Sequence, residues 1–281
     1  MSRKLLSLYG LKWNPFSPDV PVDALFRTPR ATSFLFRMEN LAREGGFALV
    51  SGPPGTGKST TLRIISDHVS SIRDLKVGIL TRPQCNMADF YREIGDLFGV
   101  ELSPHNRWAG TKVLRDRWRA FVATSLFRPM VLIDEAQEMA PSVLSELRIM
   151  MSTDLDSVQL LSVVLSGDTR LTAKLRHDDL LSLGSRIRAR LALDAESPED
   201  LAACLRHSME SAGNPRLMTD GLVKTLSEQA TGNLRVMMGM ALDLLSHAAE
   251  HELERLDEKL FFTVFDPGPK RRGRRSGGGR A

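Results

Sequence analysis

Apolar and polar positions along this chain fall into two alternating kinds of block. Short unbroken apolar runs recur at "FALVSG" from Phe47, "KVGIL" from Lys76, "PMVLID" from Pro129, "LLSVVLS" from Leu160 and "RARLAL" from Arg188. A run without a polar alternate face suits a strand covered on both sides in a parallel sheet. Between these runs the apolar residues follow helical spacing, over 58–71, 87–98, 108–127, 140–152 and 169–176. Strands alternating with helices predict an α/β fold, a three-layer core around a parallel five-stranded sheet.

After Leu193 the strand pattern stops. At "SPEDLAACLRHSMESAG", Ser197 stands at a cap position, Pro198 at the first helical position and Asp200 three residues after the cap, which marks a helix start. Helical patterns follow at "TDGLVKTLSEQAT", "NLRVMMGMALDLLSHAAEHE" and "DEKLFFTVF". The expected organisation is an amino-terminal arm over 1–45, a core over 46–194, an all-helical lobe over 195–265 and a tail over 266–281. Met237, Met238 and Met240 read as packing of that lobe. No fixed-period repeat and no separate helix-turn-helix or zinc-finger spacing is present.

Composition changes the picture only at the carboxyl end. The 281 residues carry a net charge of +4, with 42% hydrophobic and 26% charged residues, as in an ordinary globular protein. Six of the 38 basic residues fall in "DPGPKRRGRRSGGGRA", so residues 1–265 hold 32 basic against 33 acidic side chains. The near-neutral body thus precedes a basic tail too poor in apolar residues to offset its ordering entropy. Cys85 and Cys204 match no metal-ligand or redox spacing and are expected to be free thiols. No apolar run approaches the ~20 residues that span a bilayer, and the start lacks a leader pattern, so a cytoplasmic protein is expected.

The chemistry is concentrated in "GPPGTGKST". Gly52, Gly57, Lys58 and Ser59 fit G-x-x-x-x-G-K-[ST] without mismatch, a match that chance gives in roughly 1 in 100 chains of this length. A strand before the loop and a helix after it supply what phosphate binding needs: successive N–H groups wrapped around an anion, with a positive helix end aimed at it. The expected cradle is Gly52, Pro53, Pro54, Gly55, Thr56, Gly57, Lys58, Ser59 and Thr60, with Lys58 on the outer phosphates and the Ser59 hydroxyl on Mg²⁺. Downstream, "PMVLIDEAQ" ends a buried strand in Asp134, a second candidate Mg²⁺ partner, and Glu135, placed to polarise an attacking water. ATP and Mg²⁺ are the implied ligands.

With "GPPGTGKS" as Walker A and "VLIDE" as Walker B, five strands and a helical lobe, the chain resembles the AAA+ ATPases over about residues 10–265. The segments "YGLKWNPFSPD", "LIDEAQEM" and "VVLSGDTRL" are most similar to the group that contains general secretion pathway protein A and the ATPase helpers of DDE transposases. The resemblance implies an arginine before the last core strand that reaches a neighbouring subunit's γ-phosphate: Arg186 in "LGSRIRARLAL", with Arg188 competing. It implies a sensor arginine at a lobe helix, Arg235 in "GNLR", and a polar sensor ending the fourth strand, Ser166, with Asp168 next to it. "WNPF", Trp13 to Phe16, either lies beside the adenine or only staples the arm to the core.

The resemblance leaves three classes of work for the ATPase. One is a ring or filament of this chain on duplex DNA, held by backbone contacts and serving a transposase. A second is secretion or envelope assembly; the full secretion protein is expected to carry a membrane segment and a cell-wall-binding region, and their absence from this sequence favours DNA. A third is a slow nucleotide switch acting on a protein partner. The tail "KRRGRR" would serve phosphates or solubility. The helix basic residues Lys112, Arg115, Arg117 and Arg119, which lie away from the apolar stripe Leu114, Trp118, Phe121 and Val122, read mainly as a solvated face.

Overall fold

A computed structural model describes residues 3–100, 107–153 and 157–265. The basic tail lies outside the described residues. Residues group into two compact units: Pro21–Glu196 with Asn233–Arg235, and a helical unit made of the chain up to Val20, Ser197–Gly232 and the chain from Val236 onward.

The first unit is built on strands β1 (Gly46–Ser51), β2 (Val77–Leu80) and β3 (Met130–Ile133), a two-residue antiparallel ribbon of β4 (Ser152–Thr153) and β5 (Val158–Gln159), then β6 (Ser162–Gly167) and β7 (Ile187–Ala192). The main sheet is five-stranded in the order β2-β3-β6-β1-β7, every pair parallel. Its two faces carry different cores. Phe47, Leu49, Val131, Ile133, Val163 and Leu165 pack with helices α4 (Met87–Phe98), α5 (Arg107–Ser125), α6 (Pro141–Met151) and α7 (Thr169–Lys174). The alternate residues Ala48, Val50, Met130, Leu132 and Val164 pack with α2 (Pro29–Glu44) and α3 (Lys58–Ser70). The three layers follow directly, because an apolar strand must cover both of its faces.

The two edge strands depart from the continuous apolar pattern. β7 alternates, burying Ala189 and Leu191 while Arg188 and Arg190 face out, and β2 leaves Ile79 47% exposed. The strands flanked on both sides are covered: β3 and β6 are buried throughout, and β1 is buried up to its last residue, Ser51, which is half-buried. The stretch 1–45 is likewise divided. Residues 29–44 form α2, which buries Phe34, Leu35, Met38, Leu41 and Ala42 on the sheet, with Thr28 as N-cap accepting from the Ala31 amide at 3.2 Å.

The helical unit contains α1 (Arg3–Tyr9), α9 (Pro198–Ala212), α10 (Asp220–Gln229), most of α11 (Leu234–Glu250) and α12 (Glu258–Phe265); α8 (Leu181–Gly184) belongs to the sheet unit. Ser197 caps α9 as its sequence position requires, accepting from the Asp200 amide at 3.1 Å, with Pro198 in the first turn. The amino-terminal residues are tied to this unit: the Lys12 amide donates to the Ala212 carbonyl at 2.9 Å and Asn214 Nδ2 donates to the Tyr9 carbonyl at 2.9 Å. In "WNPF", Pro15 and Phe16 are buried and Asn14 Oδ1 accepts from the Phe16 amide at 3.1 Å, which makes the segment a packed turn. Of the three methionines expected to pack the lobe, Met237 is fully buried in α11, whereas Met238 and Met240 are only half-buried. Cys85 and Cys204 are buried and form no disulfide, and burial pushes the Cys85 thiol up, away from the reactive thiolate.

Candidate functional site

Every element of the site meets at the carboxyl ends of β1, β3 and β6. β1 runs into the loop 52–57, and α3 starts at Lys58 with Gly57 as N-cap, φ +90° and no side-chain cap bond. The first helical N–H groups therefore have no capping oxygen, the arrangement that favours an anion. Two glycines are dictated by what surrounds them. A Cβ on Gly52 would lie 2.1 Å from the Leu193 carbonyl oxygen, and one on Gly55, at φ +86°, would lie 2.2 Å from Asn233 Oδ1. Thr56 closes the loop from inside, its hydroxyl donating to the Pro53 carbonyl at 2.9 Å.

Lys58 is buried and folded back over the loop, its Nζ donating to the Gly52 and Pro53 carbonyls at 3.0 Å each. A lysine in this position brings one positive charge to the mouth of a backbone cradle. Ser59 and Thr60 follow in the first turn of α3. The loop, with an uncapped helix start and a buried lysine, offers N–H groups and a positive charge that suit a polyphosphate, and the Ser59 hydroxyl and the Asp134 carboxylate are hard oxygen donors of the kind that suit Mg²⁺.

Asp134 and Glu135 leave the end of β3 in different environments. Asp134 Oδ1 accepts from the Ser166 hydroxyl at 2.8 Å and from the Glu135 amide at 2.9 Å. Ser166 is fully buried on β6, so its hydroxyl fixes the carboxylate against the neighbouring strand. Glu135 is exposed and sits in the left-handed region, φ +50° and ψ +37°. Non-glycine residues tolerate that conformation at a cost, and such residues gather at functional sites.

Sequence reading passes over what holds Glu135. Gln137, buried to 5% exposure, donates its side-chain amide to Glu135 Oε2, and its Oε1 accepts from the Asp168 amide at 3.2 Å. One side chain thereby links the end of β3 to the end of β6. Apolar periodicity carries no signal for it; the only hint is a polar residue inside "DEAQEM" whose neighbours Ala136 and Met139 are buried. Asp168 caps α7 through the Arg170 amide at 2.8 Å and pairs with Arg170 Nε at 2.9 Å. Burial works to raise its pKa, but the Arg170 side chain and amide, with the Lys58 charge, outweigh that and hold the carboxyl below the usual carboxylate range.

The remaining candidates occupy distinct places. Asn233–Arg235 belongs to the sheet unit and meets the loop through its backbone and Asn233: the Arg235 amide donates to the Gly55 carbonyl at 3.1 Å, and Asn233 Nδ2 donates to the Pro54 carbonyl at 3.2 Å. The Arg235 side chain is exposed. Arg186 immediately precedes β7, whose first residue pairs with Phe47 at the start of β1, whereas the loop leaves the other end of β1. The length of β1, roughly 17 Å at ~3.3 Å per residue, separates Arg186 from the loop of its own chain. Arg188 is committed locally, in an ion pair with Glu44 at 2.9 Å. On α5, Leu114 and Trp118 are buried, Arg115 bonds to the carbonyl end of α6, and Arg119 bonds to the Thr153 hydroxyl at 2.5 Å.

A family model for an AAA domain matches residues 41–175. General secretion pathway protein A of Aeromonas hydrophila is 31% identical over 234 residues, 82% of this chain. The chain belongs to the AAA+ P-loop NTPases, in the group similar to general secretion pathway protein A. It spans 42% of that relative's length. Among solved structures, the Aeropyrum pernix ORC2 protein in ADPNP–ADP complexes superposes with a TM-score of 0.67 at 18% identity, over 90% of this AAA+ chain and 70% of the other. Drosophila ORC bound to DNA gives 0.65 at 15% identity, over 94% and 65%. These likenesses establish the fold of the AAA+ chain. Among its described residues no helix is long and apolar enough to cross a membrane.

Proposed function

We propose that this AAA+ protein hydrolyses ATP with Mg²⁺ in an assembly of its own copies, binds duplex DNA through the phosphate backbone, and serves as a helper or target-selection ATPase for a DDE transposase. The observation that carries the hydrolytic part is the convergence of loop 52–60, Asp134 and Glu135 at one end of the sheet, with Gln137 holding the Glu135 carboxylate. In this reading Gly52 to Thr60 wrap the phosphates, Lys58 neutralises the outer ones, and Ser59 and Asp134 hold the Mg²⁺. Bound there, the ion neutralises charge that develops on the transferring phosphoryl group. Glu135 orients the water and accepts its proton, and Ser166 keeps Asp134 facing the loop. Arg235, at the helix start that touches the loop backbone, is the sensor arginine.

Assembly enters through Arg186. Its place at the far end of β7 leaves it without reach to its own loop, so it acts on the γ-phosphate of an adjacent copy. Arg186 is preferred over Arg188 because it stands immediately before β7, the last core strand, where the resemblance places the arginine that serves a neighbouring copy. The DNA reading is supported by the shared fold with an origin-recognition complex solved on DNA and by the basic sequence pI of about 9.3. A second reading, envelope or secretion assembly through a protein partner, is favoured by the 31% identity to general secretion pathway protein A. ATPase rate measured against protein concentration, with and without duplex DNA, separates them. A specific rate that rises with both supports the DNA helper; a rise with concentration alone favours the protein-partner reading; a rate indifferent to both removes the assembly proposal.

A further inference from the structure

The sequence His247-Ala248-Ala249-Glu250-His251 covers the end of α11, whose last residue is Glu250, and lies far in sequence from the loop 52–60, Asp134 and Glu135. Offsets of three and four residues put His247, Glu250 and His251 on one face of the last helical turn. Each offers one ligand atom, and these atoms all lie within 4.8 Å of one another. The two imidazole rings stand 4.4 Å apart between centroids, tilted by 49°, so small rotations bring a nitrogen of each toward a common point. His247 is half-buried while Glu250 and His251 are exposed, which leaves an ion a path from solvent.

The backbone beneath these side chains is held. The His251 amide donates to the His247 carbonyl at 3.2 Å, and the Leu253 amide donates to the Ala248 carbonyl at 2.9 Å. Glu252, at φ +53°, ends the helix in the left-handed conformation. The amino-terminal helix fastens the same turn: Lys4 pairs with Glu252 at 2.7 Å, and Tyr9 Oη donates to the Leu253 carbonyl at 2.9 Å. Ligand positions set on a fastened helix end lose less freedom on binding than the same residues in a loop.

From this geometry we infer that His247, Glu250 and His251 form a binding site for one divalent transition-metal ion, with zinc the class that fits. Two imidazoles and a carboxylate are the donors that suit zinc, whereas Mg²⁺ and Ca²⁺ take oxygen ligands. Three protein ligands leave a fourth tetrahedral position for water or an incoming group. The ion crosslinks the last turn of α11, and its binding energy adds to the stability of the helical unit. The inference is independent of the ATPase proposal.

The test is a titration of the full chain with ZnCl₂ against a chromophoric chelator, in excess Mg²⁺. The expected result is one zinc per chain at this site, weakened at least about tenfold by His247→Gln and by His251→Gln, since even outer-shell changes at metal sites cost 10–100-fold. His207→Gln, elsewhere in the same unit, leaves the affinity unchanged. Zinc also raises the melting temperature of the parent and not that of the doubly substituted chain. Because His251 is exposed, its replacement by Gln does not threaten folding, and circular dichroism of the zinc-free variants checks this directly. Absence of zinc uptake, or uptake indifferent to both substitutions, overturns the inference.

Discussion

Glu135 projects from a left-handed backbone position, and Gln137 is the side chain that fixes where it points. On the proposed mechanism Glu135→Gln removes the proton acceptor and keeps the phosphate cradle. It is expected to bind ATP normally and turn it over about 10²- to 10⁴-fold more slowly, the usual worth of a general base. Nucleotide binding and single-turnover hydrolysis, measured on the same preparation, check this; normal turnover removes Glu135 from the role. Asp168 supplies a second prediction. Because its carboxyl lies below the usual range when folded, it contributes stability at all pH values above the unfolded carboxylate range of about 3.9, and that contribution is lost as pH falls through the lower folded value. Asp168→Asn keeps a capping side chain and discards the charge. Its melting temperature should fall short of the parent's at neutral pH, and the gap should close in strong acid.

At the scale of elements, local signals were sufficient wherever one short segment satisfied itself. Ser197, Pro198 and Asp200 mark the start of α9 in the sequence and form its cap in the structure. Ser197→Ala is expected to cost about 1 kcal/mol, the worth of a helix cap, read as a lower melting temperature of the helical unit. α2 had equally clear signals, Thr28 and Pro29 at its start and buried positions at helical spacing, yet a proline-rich neighbourhood gives residues 1–45 the aspect of an arm. The apolar strands were legible too, but edge and centre were not. "RARLAL" becomes the alternating strand β7 because only one neighbour, β1, lies beside it. The loop depends on Asn233, 179 residues beyond Pro54 in sequence. Gly55→Ala would bring a Cβ within 2.2 Å of Asn233 Oδ1 and force φ +86° on a residue that disfavours it. Nucleotide affinity should drop sharply in that variant, as titration with a fluorescent ATP analogue would report.

For the whole molecule, the direction of Arg186 decides whether one chain suffices. On the proposed reading Arg186→Ala lacks the group that serves a neighbour, so its ATPase falls by about 10³-fold or more, in the range of an arginine finger, while ATP binding persists. Mixing it with Glu135→Gln tests the geometry: each variant alone is inactive, but in a mixed assembly an Arg186→Ala chain with intact Glu135 receives Arg186 from its neighbour. Recovery of activity on mixing supports action between copies, and no recovery at any ratio counts against it. The sequence by itself determined the alternation of strands and helices, the phosphate loop, the acidic strand end and the capped helices, because each depends on residues close in the chain. Tertiary structure alone decided strand order, which strands are edges, the bridge from Gln137 to Asp168, the seat of Asn233 on Gly55 and the distance of Arg186 from its own loop. These depend on contacts across many residues, and backbone pairing between distant segments leaves no periodicity to read.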